Sequence, residues 1–404
     1  MLYANYVRNK MRHLYKPIIA EAEGVPCVLE YSKGKYMKDY EIYGNSVQNG
    51  TPSPENPVQI QSVGDLVTDE ASEHYGKYDI AITVAGKNLI PYPYIYTTTT
   101  INGVTFTDNG DGSITVDGTA AATANAVFYL ADTSSKYTLD KCGLKIGDSY
   151  TISKTLISGD SIANVYFTAN YYNTSGTMKA GAVASSANTA AATIQSDFKS
   201  WGIYLLVLKD KTVNNITIKL QLEKGSSVTE YEPYRGIETT HIYLDEPLRK
   251  VGDYSDYVDF KKQKVVRNIK EIIFDGTENW GYRDTDNIIY LSINNLASSV
   301  YCYSTHFLSE ALKDTISPYF RPVTGVLRLY QRSNNTVYSS ADEFKAFLEN
   351  QNTAGTPLIV DCILSTPIEE SISLPPLQTF KDTNIISVDT TELPSNIKVT
   401  YVRT

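Results

Sequence analysis

Val104-Thr105-Phe106-Thr107-Asp108-Asn109-Gly110-Asp111-Gly112-Ser113-Ile114-Thr115-Val116 is the stretch that decides the fold class of this chain. Val104 and Phe106 precede a turn of Asp, Asn and Gly, and Ile114 and Val116 follow it, so apolar and polar residues alternate on both arms. Period-two alternation places one face of a strand in a core, and Asn-Gly and Asp-Gly accept the positive φ that tight hairpins need. The segment therefore reads as a β-hairpin.

The same period recurs on either side. Tyr78, Ile80, Ile82 and Val84 alternate with Asp79, Ala81 and Thr83, and Ile216, Ile218, Leu220 and Leu222 alternate with Thr217, Lys219 and Gln221. Between the hairpin and the later run, Ala180 to Ala192 is a small-residue tract expected as an exposed loop or a sheet edge. Before the first run, Asn49-Gly50-Thr51-Pro52-Ser53-Pro54-Glu55-Asn56-Pro57 predicts an ordered turn or surface crossing. Many short strands joined by polar turns predict a mainly β chain with a β-sandwich or jelly roll.

Toward the C-terminus, strands are expected at Ile242 to Leu244, Val265 to Phe274, Ile288 to Ile293 and Val326 to Tyr330. Ser340-Ala341-Asp342-Glu343 fits a capping box, with Phe344, Phe347 and Leu348 forming the apolar face of one helix. Ile397, Val399 and Tyr401 alternate with Lys398 and Thr400 as a terminal strand. At the other end, Tyr3, Val7, Met11 and Leu14 fall on one face of a helix that Pro17 stops or kinks. That helix either docks on a neighbouring subunit or lies on its own domain. The expected organisation is an N-terminal helix and docking segment over 1–35, the first part of a β-framework over 36–89, an inserted jelly-roll-like domain over 90–234, and the second part of the framework, with one helix, over 235–404.

A length of 404 residues allows two or three domains, and 42% hydrophobic with 20% charged residues is ordinary for a folded chain. The 32 tyrosines are far above ordinary usage and favour strands and contact surfaces. With 36 basic against 45 acidic residues the net charge is −9, and no dense Lys/Arg run offers a track for phosphates, so nucleic acid is not an expected partner. No apolar run follows Arg8, Lys10 and Arg12, and the longest one, Ile203 to Leu208, falls far below the ~20 residues of a spanning helix. The chain is expected to be made in a cytosol and not to insert in a membrane.

Cys27, Cys142, Cys302 and Cys362 lie far apart and form no CxxC pair, which predicts reduced core thiols. Asp108 to Asp117 is the one segment that invites calcium. It departs from an EF-hand loop at Gly110, Ser113 and Thr119, so a plain hairpin turn is the stronger reading. His13, His74, His241 and His306 show no metal-pair spacing, and no GxSxG, GxxxxGK(S/T) or GxGxxG motif occurs. The expectation is a non-enzymatic protein without catalytic residues, cofactor or metal. Tyr92, Tyr94 and Tyr96, beside Pro91 and Pro93, and Tyr171 with Tyr172, near an Asn/Ser/Gly-rich turn, are the candidate sugar-stacking residues, against a packing role on strands. Trp201 is expected in the core.

Three phrases of the sequence stand out beyond their periodicity. One runs from Gly44-Asn45-Ser46-Val47-Gln48 through Pro57 to Val58-Gln59-Ile60-Gln61-Ser62-Val63-Gly64-Asp65. A second is Gln221-Leu222-Glu223-Lys224-Gly225 with Tyr231-Glu232-Pro233-Tyr234. A third is Leu248-Arg249-Lys250-Val251-Gly252-Asp253-Tyr254-Ser255-Asp256-Tyr257, leading to Phe274-Asp275-Gly276-Thr277-Glu278-Asn279-Trp280. Together these phrases resemble minor tail and baseplate structural proteins of phages that infect Gram-positive bacteria, and the resemblance implies a jelly-roll insert of carbohydrate-binding-module type, reached through Lys87-Asn88-Leu89-Ile90 and left through Tyr231 to Gly236. It further implies a virion structural protein of receptor-binding type, homo-oligomeric, in contact with other virion proteins and with host-surface glycans. A purely architectural role (collar, head decoration or head fibre) and a polysaccharide hydrolase are the alternatives.

Overall fold

The computed structural model describes residues 27–31, 36–37, 40–131, 137–139, 141–314, 317–331, 337–380, 382–389 and 396–399. The helix expected over Tyr3, Val7, Met11 and Leu14 lies outside the described residues, as do Thr400 and Tyr401. Within them the chain is mainly β, in several antiparallel sheets, with one α-helix, Ala341–Thr353.

A single hairpin of the framework organises the molecule. The alternating run at Tyr78 becomes the strand Tyr78–Gly86, which pairs antiparallel with Ile237–Leu244 from Tyr78↔Leu244 to Ala85↔Ile237. Beyond that last pair, the Gly86 N–H donates to the Gly236 carbonyl at 3.0 Å. Everything between residues 86 and 236 is thus inserted at the tip of a hairpin. Lys87 secures the junction through an ion pair with Glu232 at 2.9 Å, both side chains largely buried.

The insert is a two-sheet antiparallel sandwich. One sheet runs Thr189–Thr193, Ser149–Ser158, Thr212–Lys224, Ser113–Thr119, Val104–Asp108, Thr98–Ile101, and the other Ala126–Tyr129, Phe198–Val207, Val165–Asn173, Met178–Ala184. The opening hairpin forms as the alternation predicts, with Val104 opposite Gly118 and Phe106 opposite Val116. Its turn is made by Gly110 and Gly112 at φ 83° and 82°, and by the Asp108 and Asp111 carboxylates accepting from the Gly110 and Ser113 N–H groups. Those carboxylates are engaged by the turn itself. The small-residue tract supplies the edge strand of each sheet.

Inward-facing Phe106, Phe128, Phe167, Ile203, Leu205, Ile218 and Leu220 form one apolar core. Burying a side chain of this kind contributes roughly 1.5–3 kcal/mol. Trp201 is 1% exposed, as its place in that core requires, and lies edge-on to Tyr150 and Phe198. Lys154, also 1% exposed, runs inward and donates to the carbonyls of Ile162, Val165 and Ser185. Three acceptors match the three protons of an ammonium, and burial lowers this lysine to about 8.

The framework packs two sheets over a second core. Ile80, Ile82 and Val84 of one sheet meet Tyr40, Ile42, Val258 and Phe260 of the other, with the Tyr40 and Phe260 rings stacked at 3.9 Å. The terminal alternation yields the edge strand Asn396–Val399, paired with Tyr40–Tyr43. The Gly44 phrase and the Leu248 phrase lie against each other here. Val63 and Leu248 exchange backbone hydrogen bonds at 3.1 and 2.8 Å, and a Cβ on Gly44 would stand 2.5 Å from the Arg249 carbonyl oxygen. Glycine at position 44 is what lets those backbones approach.

The span 235–404, expected as one part of the framework, carries a third core. Lys264–Phe274 and Leu358–Ser371 are long enough to serve both bodies, and their far halves bring Phe274, Leu358 and Val360 against Trp280, Phe320 and Leu329. The helix covers this core with Phe344 and Leu348. Ser340 caps it by accepting from the Glu343 N–H, while the Glu343 carboxylate accepts from the Ser339 N–H, one residue before the cap.

Between the second and third cores lies a buried ionic cluster. Arg249, 3% exposed, pairs with Glu246 at 2.6 Å and Glu271 at 3.1 Å, and stands 3.7 Å from fully buried Asp361. Neither Asp361 oxygen has a hydrogen-bond partner among the described residues. Burial raises this carboxyl to about 7, the Arg249 charge opposing the rise. Asp256, also fully buried, accepts from the backbone N–H groups of Arg249, Asn268 and Ile269.

Candidate functional site

The four-stranded sheet of the sandwich has two unlike faces because side chains alternate along each strand. Val165, Phe167, Ala169 and Tyr171 turn into the core, so Tyr166, Thr168, Asn170 and Tyr172 turn outward. On the neighbouring strand, Ile203 and Leu205 turn in while Gly202 and Tyr204 turn out, and beyond it Phe128 turns in and Tyr129 out. Register aligns these positions: Thr168 opposes Tyr204, which opposes Tyr129, and Asn170 opposes Gly202.

The result is a half-buried aromatic surface of Tyr129, Tyr166, Tyr172 and Tyr204 on three adjacent strands. The Tyr129 and Tyr204 rings lie 5.2 Å apart at 60°. Asn170 Nδ2 donates to the Tyr204 hydroxyl at 3.0 Å, which orients both groups. Gly202 keeps the floor low between them, since a Cβ there would touch the Met178 methyl and the Tyr172 ring at 3.4 Å. Burial, with the neighbouring Tyr172 hydroxyl, pushes the Tyr129 phenol up to about 12, and burial also raises Tyr204. Both keep their protons at neutral pH and can donate as well as accept. Ring faces with fixed hydroxyl and amide groups beside them suit a sugar, whose C–H face stacks while its hydroxyls hydrogen-bond.

The tyrosines singled out from the sequence fall in different places. Tyr94 is 8% exposed and donates to the Gly112 carbonyl, and Tyr92 lies edge-on to it and bonds Asp108 at 3.3 Å, so both brace the hairpin turn. Tyr171, also 8% exposed, stacks on Phe198 and donates to Asp197 at 3.0 Å. Tyr96 remains 45% exposed near Phe128, and Tyr172 belongs to the outer face. Tyr129, Tyr166 and Tyr204 were not distinguished by sequence reasoning, because only cross-strand register brings them together.

The alternation that turns Tyr92 and Tyr94 toward the sandwich turns Pro91, Pro93 and Ile95 toward a cleft of about 570 Å³ whose lining also includes Tyr234, Ile237 and Thr239. It follows the seam between sandwich and framework. Among the described residues, no group of three or more His, Cys, Asp or Glu side chains is placed to hold a metal ion, and no helix is long and apolar enough to cross a membrane. Cys142, Cys302 and Cys362 are buried thiols, and burial raises the latter two well above the usual thiol range. His306 is fully buried between Thr305 and Gln351, while His241 sits on the surface against Asp79.

No family model, curated protein or solved structure matches this chain.

Proposed function

We propose that this chain is a structural protein of a bacteriophage tail or baseplate, and that it presents its inserted sandwich to glycans on the host surface. The observation that carries the binding half of this reading is the outward surface of Tyr129, Tyr166, Tyr172 and Tyr204, with Asn170 fixed against Tyr204 at 3.0 Å. The fold of the insert supports it. Counting Ser113–Thr119 as the first of eight strands, the order first, eighth, third, sixth lies in one sheet and second, seventh, fourth, fifth in the other, which supports a jelly-roll reading. The particle half is supported by the Gly44 and Leu248 phrases, which carry the resemblance and meet in the framework. Repeated copies on one particle raise avidity without a strong single site.

Two measurements test the reading. Gold-labelled antibody on purified particles is expected at the tail tip, and particles that carry no label would sink the virion assignment. Glycan-array binding by the whole chain is expected to fall in Tyr204→Ala. An array silent with the unaltered protein would leave a purely architectural component.

A further inference from the structure

We infer that the outer face of the four-stranded sheet takes an uncharged glycan lying along its strands, and not a phosphate- or carboxylate-bearing wall polymer. This rests on the reading above that the face binds glycans, and adds the class and direction of the ligand.

Charge decides the class. Between Tyr166 and Tyr172 the residues that point outward from the three tyrosine-bearing strands are tyrosines, Thr168, Asn170, Gly202 and aliphatic or small side chains, while the exposed lysines of this sheet stand outside that stretch, Lys199 at the bulge beyond Tyr172 and Lys179 on the edge strand. An anionic group brought onto the tyrosines between those two ends would leave water without a cation beside it, which is costly in apolar surroundings. The chain's net charge of −9 adds long-range repulsion of a polyanion. A neutral pyranose loses nothing comparable, because its hydroxyls find phenol and amide partners and its C–H face finds rings.

Register decides the direction. Tyr166 and Tyr172 lie on one strand, six positions apart, which is about 20 Å at strand rise. Tyr204 and Tyr129 stand level with Thr168 between them, and Asn170 with Gly202 form the low step before Tyr172. The stations therefore succeed one another along the strand axis, so a linear chain of several sugars can touch each in turn.

The test uses the whole chain over immobilised maltohexaose, cellohexaose and chitohexaose, and over a glycerol-phosphate teichoic acid, at 50 and 500 mM NaCl. The expected result is retention by at least one neutral hexaose that does not change with salt and falls about tenfold in Tyr204→Ala and Tyr172→Ala, the worth of a lost aromatic stacking contact. Gly202→Ala is expected to reduce retention while melting like the unaltered protein, since its one added carbon meets the Met178 methyl and the Tyr172 ring at 3.4 Å, ordinary contact distance. Salt-sensitive binding of the teichoic acid, undiminished in Tyr204→Ala, would overturn the neutral class and leave the glycan reading standing elsewhere on the chain. Retention by neither class would overturn the glycan reading itself.

Discussion

Asn88 and Glu232 lie 144 positions apart, yet the Asn88 side-chain amide donates to the Glu232 carbonyl at 3.1 Å. The same amide donates to the Leu220 carbonyl at 3.0 Å, and its oxygen accepts from the Ile90 and Leu222 N–H groups. One buried side chain thus ties the segment leading into the sandwich to the segment leading out and to the last sandwich strand. The sandwich is held to the framework by a latched double connection.

Asn88→Ala is expected to destabilise the sandwich by roughly 3 kcal/mol, because it strands buried carbonyl and N–H groups rather than merely deleting a bond. The two tryptophans separate the response, since Trp201 lies in the sandwich core and Trp280 in the third core. In urea, Trp201 emission is expected to change at lower denaturant while Trp280 is unmoved. Coincident, unshifted transitions would refute the latch.

Lys154→Met removes the donor shared by the Ile162, Val165 and Ser185 carbonyls while keeping much of the side-chain volume. The expected loss is about 2–4 kcal/mol, from acceptors left dry in the core. A melting temperature equal to that of the unaltered chain would mean that water or a neighbouring group replaces the ammonium without cost.

Asp361 gives the framework a pH dependence with a defined sign. Its folded pKa, about 7, lies above the usual carboxylate value near 3.9, so the folded state holds this proton more tightly than the unfolded chain. The resulting stability is complete below about pH 4 and is lost as pH rises through 7. Of the charges that face it, Arg249 opposes the rise while Glu271, Asp256 and Glu246 add to it, and the net shift corresponds to roughly 2–4 kcal/mol. Asp361→Asn is expected to flatten the fall in stability between pH 5 and pH 8, measured by Trp280 in denaturant. An unchanged slope would place the titrating group elsewhere.

Tyr171→Phe separates packing from binding on the sandwich. It deletes the hydroxyl that donates to Asp197 and leaves the ring stacked on Phe198, so about 1 kcal/mol of stability should go while glycan retention stays the same. Reduced retention at unaltered stability would return Tyr171 to the binding surface.

The strands were legible because their burial is one-sided. Ile80, Val84, Phe106, Ile114, Ile218 and Leu220 alternate and all face a core, and Ser340 with Glu343 marked the helix start. Pairing between distant segments was not legible. Periodicity says that Tyr166 and Phe167 face opposite ways, but not that Tyr166 stands on the same surface as Tyr129 and Tyr204. Proximity in sequence drew attention to Tyr92, Tyr94 and Tyr171, whose rings are held by packing and hydroxyl contacts inside the fold. The third core was hidden for a related reason. Lys264–Phe274 and Leu358–Ser371 read as single strands, and nothing local reveals that each is shared between two bodies.

The position of the sandwich at the tip of the Tyr78–Gly86 and Ile237–Leu244 hairpin makes it a cassette. The framework strands on either side are already neighbours, so the Gly86 to Gly236 closure could equally be completed by a short turn or by an unrelated domain whose ends lie side by side. Exchange of the whole insert would leave the framework's own registers intact, and recombination at this one joint could alter what the molecule touches without altering how it is built in.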